Sequence, residues 1–148
     1  MKPRFTKPPY QPKWVLQLQV FVLRLLKSKM FMIVTTTGRK TGLKRTIPID
    51  YCVDGESFLA FNMGGKSNWY RNALANPVVT VEIGGKVIQT HAEPVPINTP
   101  GQLKAVLDAY NRARPGVLER SFGFSAGTPV EELMDIGQYA QFVRFVPV

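Results

Sequence analysis

One short stretch, TTTGRKTGLKRTIP at Thr35–Pro48, constrains the fold of this chain more than any other. The residues Phe31–Thr37 are apolar and β-branched, and Thr46–Val53 repeat that character, so each segment predicts a strand. Gly38 and Gly42 bracket the connection between them, which is typical of a tight loop. The stretch therefore predicts a β-hairpin.

The tip of this hairpin is basic. It carries Arg39, Lys40, Lys44 and Arg45 without an acidic residue among them. Because like charges repel, such a cluster favours a bound anion, whose phosphate or carboxylate oxygens accept charge-assisted hydrogen bonds. A solubilising turn is the alternative, and the pattern alone leaves both interpretations open.

The hairpin belongs to a basic N-terminal third. The formal net charge of the 148-residue chain is +9, and no acid precedes Asp50, whereas eleven lysines and arginines do. The remainder holds eight cations against ten acids. This asymmetry indicates a nucleic acid, an anionic membrane surface or an acidic ligand. We expect no nucleic-acid partner, because no aromatic residues alternate with the hairpin cations.

The N-terminal segment predicts an arm at 1–13 and a helix at 14–29. This helix is too short to span a bilayer, which takes about 20 apolar residues. It either packs over the sheet or makes a weak contact with anionic lipid, with Lys27 and Lys29 at its end. No signal-peptide pattern is present, and the single cysteine, Cys52, predicts an inert core thiol. We therefore expect a cytoplasmic protein, with the inner face of the membrane as a further location if the helix binds lipid.

Hairpin-linked strands and peripheral helices account for the remainder of a single predicted domain, 1–148. About six strands joined by hairpins imply antiparallel pairing, and a sheet of that size closes readily into a small barrel. The predicted class is mainly β, a β-barrel with peripheral helices. The later strands are predicted at Ser57–Asn62, Val78–Ile83, Val87–Glu93 and Gln138–Val146, the helices at Asn68–Ala75 and after Thr99 and Thr128, and a loop at Arg114–Gly127.

A second glycine-containing loop, Gly64–Ser67, precedes the helix Asn68–Ala75. Ser67 is the expected N-cap, and the free N–H groups of the helix start would point at the loop. Together with the hairpin, this loop predicts a phosphate-binding cradle. The segment Ala60–Ser67 nearly matches a P-loop, but alanine stands where the first glycine belongs and the strands are hairpin-linked, which disfavours an ATP or GTP site.

Side chains for direct catalysis are scarce. His91 is the only histidine, and it cannot form a metal site with a single cysteine, so we expect no metal. The acids are scattered, which does not favour a hydrolase with paired carboxylates. If the chain is an enzyme, the reactive chemistry should belong to a bound cofactor.

Three segments together resemble the deazaflavin-dependent nitroreductase family: the hairpin, the Asp54-Gly55 turn, and AFNMGGKSNWYRNALANPVVTVEIGG, which ends near Glu93. The resemblance implies an FMN-binding-like split β-barrel and an F420-dependent oxidoreductase. Coenzyme F420 is a deazaflavin with a phosphodiester and an acidic oligoglutamate tail. Its reduced form would pass a hydride to an electron-poor small molecule, namely an enone, a quinone or a nitro compound. FMN is the weaker alternative cofactor.

The resemblance also assigns residues. The hairpin cations match those that hold the phosphate and tail, and the later segments match those beside the ring and its supporting helix. The implied cofactor-binding set is Arg39, Lys40, Thr41, Arg45, Thr46, Pro48, Ile49, Ala60, Phe61, Asn62, Met63, Gly64, Gly65, Lys66, Trp69, Tyr70, Asn72 and Asn76.

Tyr70 and Tyr110 are the candidate catalytic residues, as hydrogen-bond donors to developing negative charge. We expect a substrate pocket walled by the first helix (Trp14 and Phe21), by the Tyr110 helix and by the Phe122/Phe124 loop. The C-terminal third departs from the family's tyrosine-rich substrate segment, so substrate identity does not transfer. A lipid- or fatty-acid-binding protein of the same fold without turnover is the alternative, and both a monomer and a homodimer remain open.

Overall fold

The computed structural model describes residues 11–63, 67–125, 127–138 and 140–148. In chain order its elements are α1 (Lys13–Leu26), β1 (Met32–Thr37), β2 (Lys44–Ile49), β3 (Cys52–Asp54), β4 (Ser57–Met63), α2 (Asn68–Ala75), β5 (Val78–Ile83), β6 (Lys86–Val95), α3 (Pro100–Ala113), α4 (Val117–Phe122), a 3-10 helix (Val130–Gln138) and β7 (Ala140–Pro147). The described strands form one antiparallel sheet in the order β2-β1-β5-β6-β7-β4-β3. This curled half-barrel with peripheral helices confirms the predicted fold class.

The predicted basic hairpin is confirmed as β1 and β2, which pair from Met32 opposite Ile49 to Thr37 opposite Lys44. The continuous second strand predicted at Thr46–Val53 is wrong, because the chain leaves β2 after Ile49 and begins β3 at Cys52. These two strands are the opposite edges of the sheet, so the connection crosses the opening of the half-barrel.

Arg114, at the end of α3, holds this connection in place. Its Nη1 donates to Asp50 Oδ1 at 2.7 Å and to the carbonyl oxygen of Tyr51 at 3.1 Å. Asp50 Oδ1 also accepts from the backbone N–H of Tyr51 at 3.0 Å. The Asp50 carboxylate thus accepts the backbone N–H of Tyr51, which in a continuous strand would donate to a neighbouring strand. This local hydrogen bond explains why the strand is interrupted here.

Apolar side chains form two buried clusters. One includes Met32, Val34 and Phe145, and α2 covers it through Ala73. The other lies under α3, α4 and the 3-10 helix and includes Leu103, Leu118, Ile136 and Phe142. Helices therefore pack over both clusters, and α2 lies next to the basic hairpin.

The helices after β6 were only partly predictable. Thr99 Oγ1 accepts from Gln102 N at 3.2 Å and Gln102 Oε1 accepts from Thr99 N at 3.2 Å, a capping box with Pro100 in the first turn of α3. The loop predicted at 114–127 is wrong in its middle, because α4 forms there with Leu118 and Phe122 buried. A helix of six residues is not stable by itself, and the burial of these two apolar side chains stabilises it.

Helix α1 lies against β2 but buries little of itself. Gln17 Nε2 donates to the carbonyl oxygen of Thr46 at 3.1 Å, and Arg24 pairs with Glu82 at 2.7 Å. The helix ends at Leu26, before the predicted 29, because Lys27 adopts a left-handed conformation with φ 49°. Val20 is its buried residue, whereas Trp14 is 69 % exposed and Phe21 62 %. Among the described residues no helix is long and apolar enough to cross a membrane.

Candidate functional site

A groove of about 780 Å³ lies between the basic hairpin, the first turns of α1 and the start of α2. We call it the groove. Its volume falls within the range of small-molecule and cofactor sites, about 300–1,000 Å³. It is lined by Lys13, Leu16, Gln17, Thr36, Gly38, Arg39, Lys40, Thr41, Lys44, Arg45, Thr46, Ile47, Ser67, Asn68, Trp69 and Asn72.

The two hairpin glycines shape the basic wall of the groove. Gly38 N donates to the carbonyl oxygen of Leu43 at 2.7 Å, and Gly42 N donates to that of Gly38 at 2.8 Å. A Cβ on Gly38 would come within 3.0 Å of Thr41 Oγ1 and 3.1 Å of the Leu43 carbonyl oxygen, while Gly42 has φ +71°. Close approach at the first position and a left-handed backbone at the second therefore require glycine.

Arg39 is held by neutral acceptors. Its backbone N–H and its Nη1 both donate to Asn72 Oδ1, at 3.2 and 2.8 Å, and Nη2 lies 3.4 Å from Asn68 Oδ1. Asn72 is buried on α2, so the helix fixes the direction of the guanidinium. Because an amide oxygen carries no net charge, this arrangement positions the Arg39 cation without neutralising it.

No acidic residue belongs to the described lining of the groove, although five cations do. Lys44 Nζ donates to Thr37 Oγ1 at 2.8 Å, another neutral partner. The ion pairs between described residues involve Arg24, Lys104, Arg114 and Arg144, none of which lines the groove. The predicted clustering of uncompensated cations is confirmed, and the field inside the groove favours an anion.

Two buried hydroxyls in the groove have no hydrogen-bond partner among the residues that the structure describes. Thr36 is 1 % exposed and its Oγ1 is unpaired, as is Ser67 Oγ. Ser67 was predicted as the N-cap of α2, but no side-chain cap forms; its backbone N–H instead donates to Asn62 Oδ1 at 3.2 Å. Buried polar atoms are usually paired, so these hydroxyls are available to a ligand at the start of α2.

The structure brings together only part of the predicted cofactor set. Arg39, Lys40, Thr41, Arg45, Thr46, Trp69 and Asn72 line the groove, whereas Pro48, Ile49, Ala60, Phe61, Asn62, Met63, Tyr70 and Asn76 do not, and Gly64, Gly65 and Lys66 lie outside the described residues. Sequence reasoning missed Lys13, Leu16, Gln17 and Thr36 as groove residues. The first three come from the helix that packs on β2, a contact without a local sequence signal.

Asn76 supports the groove from behind, since its Nδ2 donates to the carbonyl oxygen of Thr37 at 3.3 Å and so ties the end of α2 to β1. Asn62 joins β4 to β7 through Nδ2, which donates to Gln141 Oε1 at 2.6 Å. Because Asn62 also accepts from Ser67, this amide pair connects β7 to the start of α2.

The two candidate tyrosines occupy different environments. Tyr110 is fully buried among apolar side chains, with Phe61 at a ring-centroid distance of 5.2 Å, and within the described part of the chain its hydroxyl has no partner at hydrogen-bond distance. Burial, with Asp50 nearby, raises the pKa of Tyr110. Phe122 and Phe124 belong to the same buried cluster. They do not form a pocket wall with Trp14 and Phe21, which are exposed on α1, so that predicted pocket is wrong.

Tyr70 lines a second cavity, of about 450 Å³, on the other side of α2 from the groove residues. We call it the second cavity. Burial raises the pKa of Tyr70. The remaining lining comes from the end of β6, the 3-10 helix and β7: Pro94, Val95, Pro96, Ile97, Asn98, Met134, Gly137, Ala140, Gln141 and Phe142.

Two further residues singled out in the sequence have no part in either cavity. Cys52 is buried and free, and burial chiefly raises its pKa to about 12, which agrees with an inert thiol. His91 is exposed on β6. No group of three or more metal-ligating side chains occurs among the described residues.

Comparisons with known proteins identify the family and agree with the fold. The model of the F420H(2)-dependent quinone reductase family matches residues 10–121. An F420H(2)-dependent quinone reductase of Mycobacterium tuberculosis (strain ATCC 25618 / H37Rv) is 36 % identical over 73 residues, which cover 47 % of this chain and 49 % of that protein. The match thus spans about half the length of that relative.

Solved structures share the fold at low identity. An F420-H2 dependent reductase aligns with a TM-score of 0.53 and 21 % identity, covering 79 % of this chain and 95 % of the other. A FAD-binding protein from Mesorhizobium loti aligns with a TM-score of 0.54 and 17 % identity, covering 93 % and 91 %. With the family model matched over most of its length, this chain belongs to the F420H(2)-dependent quinone reductase family.

Proposed function

We propose that this protein binds coenzyme F420 in the groove and uses its reduced form to reduce quinones. The observation that carries the proposal is the groove lining, which holds five cations and no acid among the described residues. Family membership supports both the cofactor and the substrate class.

The groove residues fit the acidic half of this cofactor. Arginines such as Arg39 and Arg45 can bind a phosphodiester or a carboxylate through paired N–H donors, and lysines such as Lys40 and Lys44 add point charges. The start of α2 contributes oriented backbone N–H groups, and Thr36 Oγ1 is a buried hydroxyl without a partner. An anionic ligand would satisfy all of these groups at once.

The uncharged part of the proposed site comes from the resemblance. We assign the ring to the neighbourhood of Pro48 and Ile49 on β2 and of residues 60–66. The helix α2, with Trp69 and with Asn76 at its end, is the helix that supports this cradle. When bound, the cofactor would supply a hydride, that is, two electrons and a proton. The chain itself would hold the acidic tail, orient the ring and exclude water from the reacting face.

FMN carries one phosphate and no glutamate tail, so it would use fewer of the five cations. We therefore expect F420 to bind more tightly than FMN. Equal affinity for the two, or tighter binding of FMN, would contradict the choice of cofactor.

The proposed reaction is tested by mixing the protein with reduced F420 and duroquinone, a tetramethyl benzoquinone, and following the absorbance of oxidised F420. We expect oxidation that depends on both protein and quinone and does not occur when NADH replaces reduced F420. Binding of F420 without any quinone-dependent oxidation, across quinones, enones and nitroaromatics, would favour the alternative of a binding protein without turnover.

We also propose that α1 contacts an anionic lipid surface. Trp14, Phe21 and Leu25 are large apolar side chains that the fold leaves exposed, and Lys27 and Lys29 follow the end of the helix. Such a combination is typical of helices that lie in the plane of a membrane interface. Proximity to lipid would suit a protein that acts on apolar quinones.

Vesicle flotation tests this surface. The wild type should float with vesicles that contain phosphatidylserine, and Phe21→Glu should reduce the floated fraction several-fold. Val78→Glu is the matched control, since Val78 is an exposed apolar residue at the start of β5, whereas β5 contacts α1 through Glu82 near its other end. Equal flotation of the two variants would contradict the lipid contact, as would a stable dimer that buries α1.

A further inference from the structure

The second cavity has no role in the cofactor site proposed above. It is separated from the groove by α2, whose successive residues face different ways: Asn68 and Trp69 line the groove, and Tyr70 lines the second cavity. We propose that the second cavity binds the quinone, with the Tyr70 hydroxyl donating to a quinone oxygen. This inference rests on the proposed function.

Tyr70 provides the first observation. It is 7 % exposed, and its hydroxyl makes no hydrogen bond to the described residues. Its ring is held edge-on to Trp69, with centroids 6.2 Å apart. The Tyr70 hydroxyl is not one of the side-chain atoms that are both buried and unpaired, so it is accessible and can donate to an acceptor on a molecule bound in the cavity that this residue lines.

Gln141 provides a second donor. Its Oε1 is occupied by Asn62 Nδ2 at 2.6 Å, which leaves the two hydrogens of its Nε2 without a partner among the described residues. Gln141 lines the same cavity as Tyr70. Both groups therefore offer hydrogens, and the ligand that matches them carries acceptor oxygens.

The walls determine what kind of acceptor fits. The described lining combines the apolar side chains of Val95, Ile97, Met134 and Phe142 with polar atoms that cover at least as much of its surface, and no lining side chain is charged at neutral pH. A charged ligand would lose hydration there without a counter-ion. A neutral, flat molecule with carbonyl oxygens, such as a quinone, satisfies the donors and buries its apolar carbon atoms.

The cavity adjoins the strand assigned to the cofactor. Met63, Asn62 and Phe61 of β4 pair with Ala140, Gln141 and Phe142 of β7. Neighbouring strands lie about 5 Å apart, so a molecule against this part of β7 is within one strand spacing of β4. The second cavity therefore adjoins, through the β4–β7 pairing, the strand to which the ring is assigned.

Reduction of a quinone to a hydroquinone adds one hydride and one proton. The reduced cofactor, held by the groove residues, would supply the hydride and would itself be oxidised by two electrons. The Tyr70 O–H bond breaks as its proton moves to the quinone oxygen, and water returns a proton to the phenolate. Burial raises the pKa of Tyr70, which keeps the phenol protonated at neutral pH.

Quinone binding is measured on the cofactor-free protein, so that the result does not depend on turnover. The chain has two tryptophans, and a Trp14→Phe background leaves Trp69, beside Tyr70, as the fluorescent reporter. Titration with duroquinone should quench this fluorescence. Tyr70→Phe should weaken binding about five- to tenfold, the effect of one hydrogen bond.

A second variant narrows the cavity without removing a donor. A Cβ on Gly137 would meet Ile97 Cδ1 at 3.6 Å, an ordinary contact, and this glycine does not require a positive φ. Gly137→Val should therefore fold and weaken duroquinone binding. Tyr51→Phe is the control, because it removes the same hydroxyl from a tyrosine that bonds the carbonyl oxygen of Lys29 instead.

The assignment is overturned if duroquinone binds the wild type, Tyr70→Phe and Gly137→Val equally well, or if Tyr51→Phe has the same effect as Tyr70→Phe. F420 affinity, measured on the same proteins, should be unchanged by Gly137→Val and by Tyr51→Phe. If F420 does not bind the wild type at all, the proposed function fails, while the duroquinone titration still decides the role of the second cavity.

Discussion

The groove and the second cavity border the same helix, α2, but are built from opposite chemistry. Five cations line the groove, whereas no side chain in the described lining of the second cavity is charged at neutral pH. The groove is concentrated on one hairpin and two helix starts, while the cavity collects residues from β6, the 3-10 helix and β7. The difference agrees with the proposed division of labour, in which charge holds the cofactor and an uncharged cavity with two donors receives the acceptor.

The largest expected effect removes the charge from the groove. Replacing Arg39 and Arg45 together by alanine should weaken F420 binding by about 100-fold or more, since each charge-assisted hydrogen bond contributes about 1.5–3 kcal/mol. Duroquinone affinity of the cofactor-free protein should not change. Fluorescence titrations of both ligands measure the two effects.

The control for this pair is Lys86→Ala with Lys104→Ala, which removes the same charge outside the groove. Lys104 is an exposed residue of α3 paired with Asp108, and Lys86 starts β6. If this control weakens F420 binding as much as the arginine pair does, the ligand senses net charge and not the groove.

A smaller effect should follow from a change of one atom at Asn72. Asn72→Asp turns the neutral acceptor of Arg39 into a carboxylate, which would pair with the guanidinium and repel an anionic ligand. We expect F420 affinity to fall about tenfold. In an Arg39→Ala background the same substitution should have a smaller effect, which a double-mutant cycle of dissociation constants would show.

The smallest expected effect is the pH dependence of duroquinone binding, which tests the role of Tyr70 in the second cavity. A tyrosine donates only while protonated, and burial raises the pKa of Tyr70 above its usual value of about 10. Duroquinone binding to the cofactor-free protein should therefore be constant from about pH 7 to about pH 9. A loss of affinity within that interval in the wild type, absent from Tyr70→Phe, would mean that the phenol ionises earlier than this environment allows.

Local patterns predicted the hairpin and its charge well. The local backbone requires glycine at positions 38 and 42, and Arg39 and Lys40 lie in the turn between them. The helix Asn68–Ala75 is likewise confirmed with its predicted bounds. Each of these features depends on residues close together in the chain, which is why sequence alone could predict them.

The features that sequence missed depend on distant contacts. The pairing of Asn62 with Gln141 joins residues 79 positions apart, and no spacing rule predicts it. Arg114 bonds Asp50 from 64 positions away, at the point where the predicted second strand is interrupted. The second cavity needs the end of β6 and the start of β7 side by side, so only the folded sheet reveals it.

The central claim is that the groove holds the acidic tail of a deazaflavin cofactor, and one titration tests it directly. F420 and the same deazaflavin without its phosphate and glutamate tail are titrated separately into the wild-type protein. We predict that F420 binds at least about 100-fold more tightly, the contribution of two or more charge-assisted hydrogen bonds. Equal affinity for the two compounds would contradict the account.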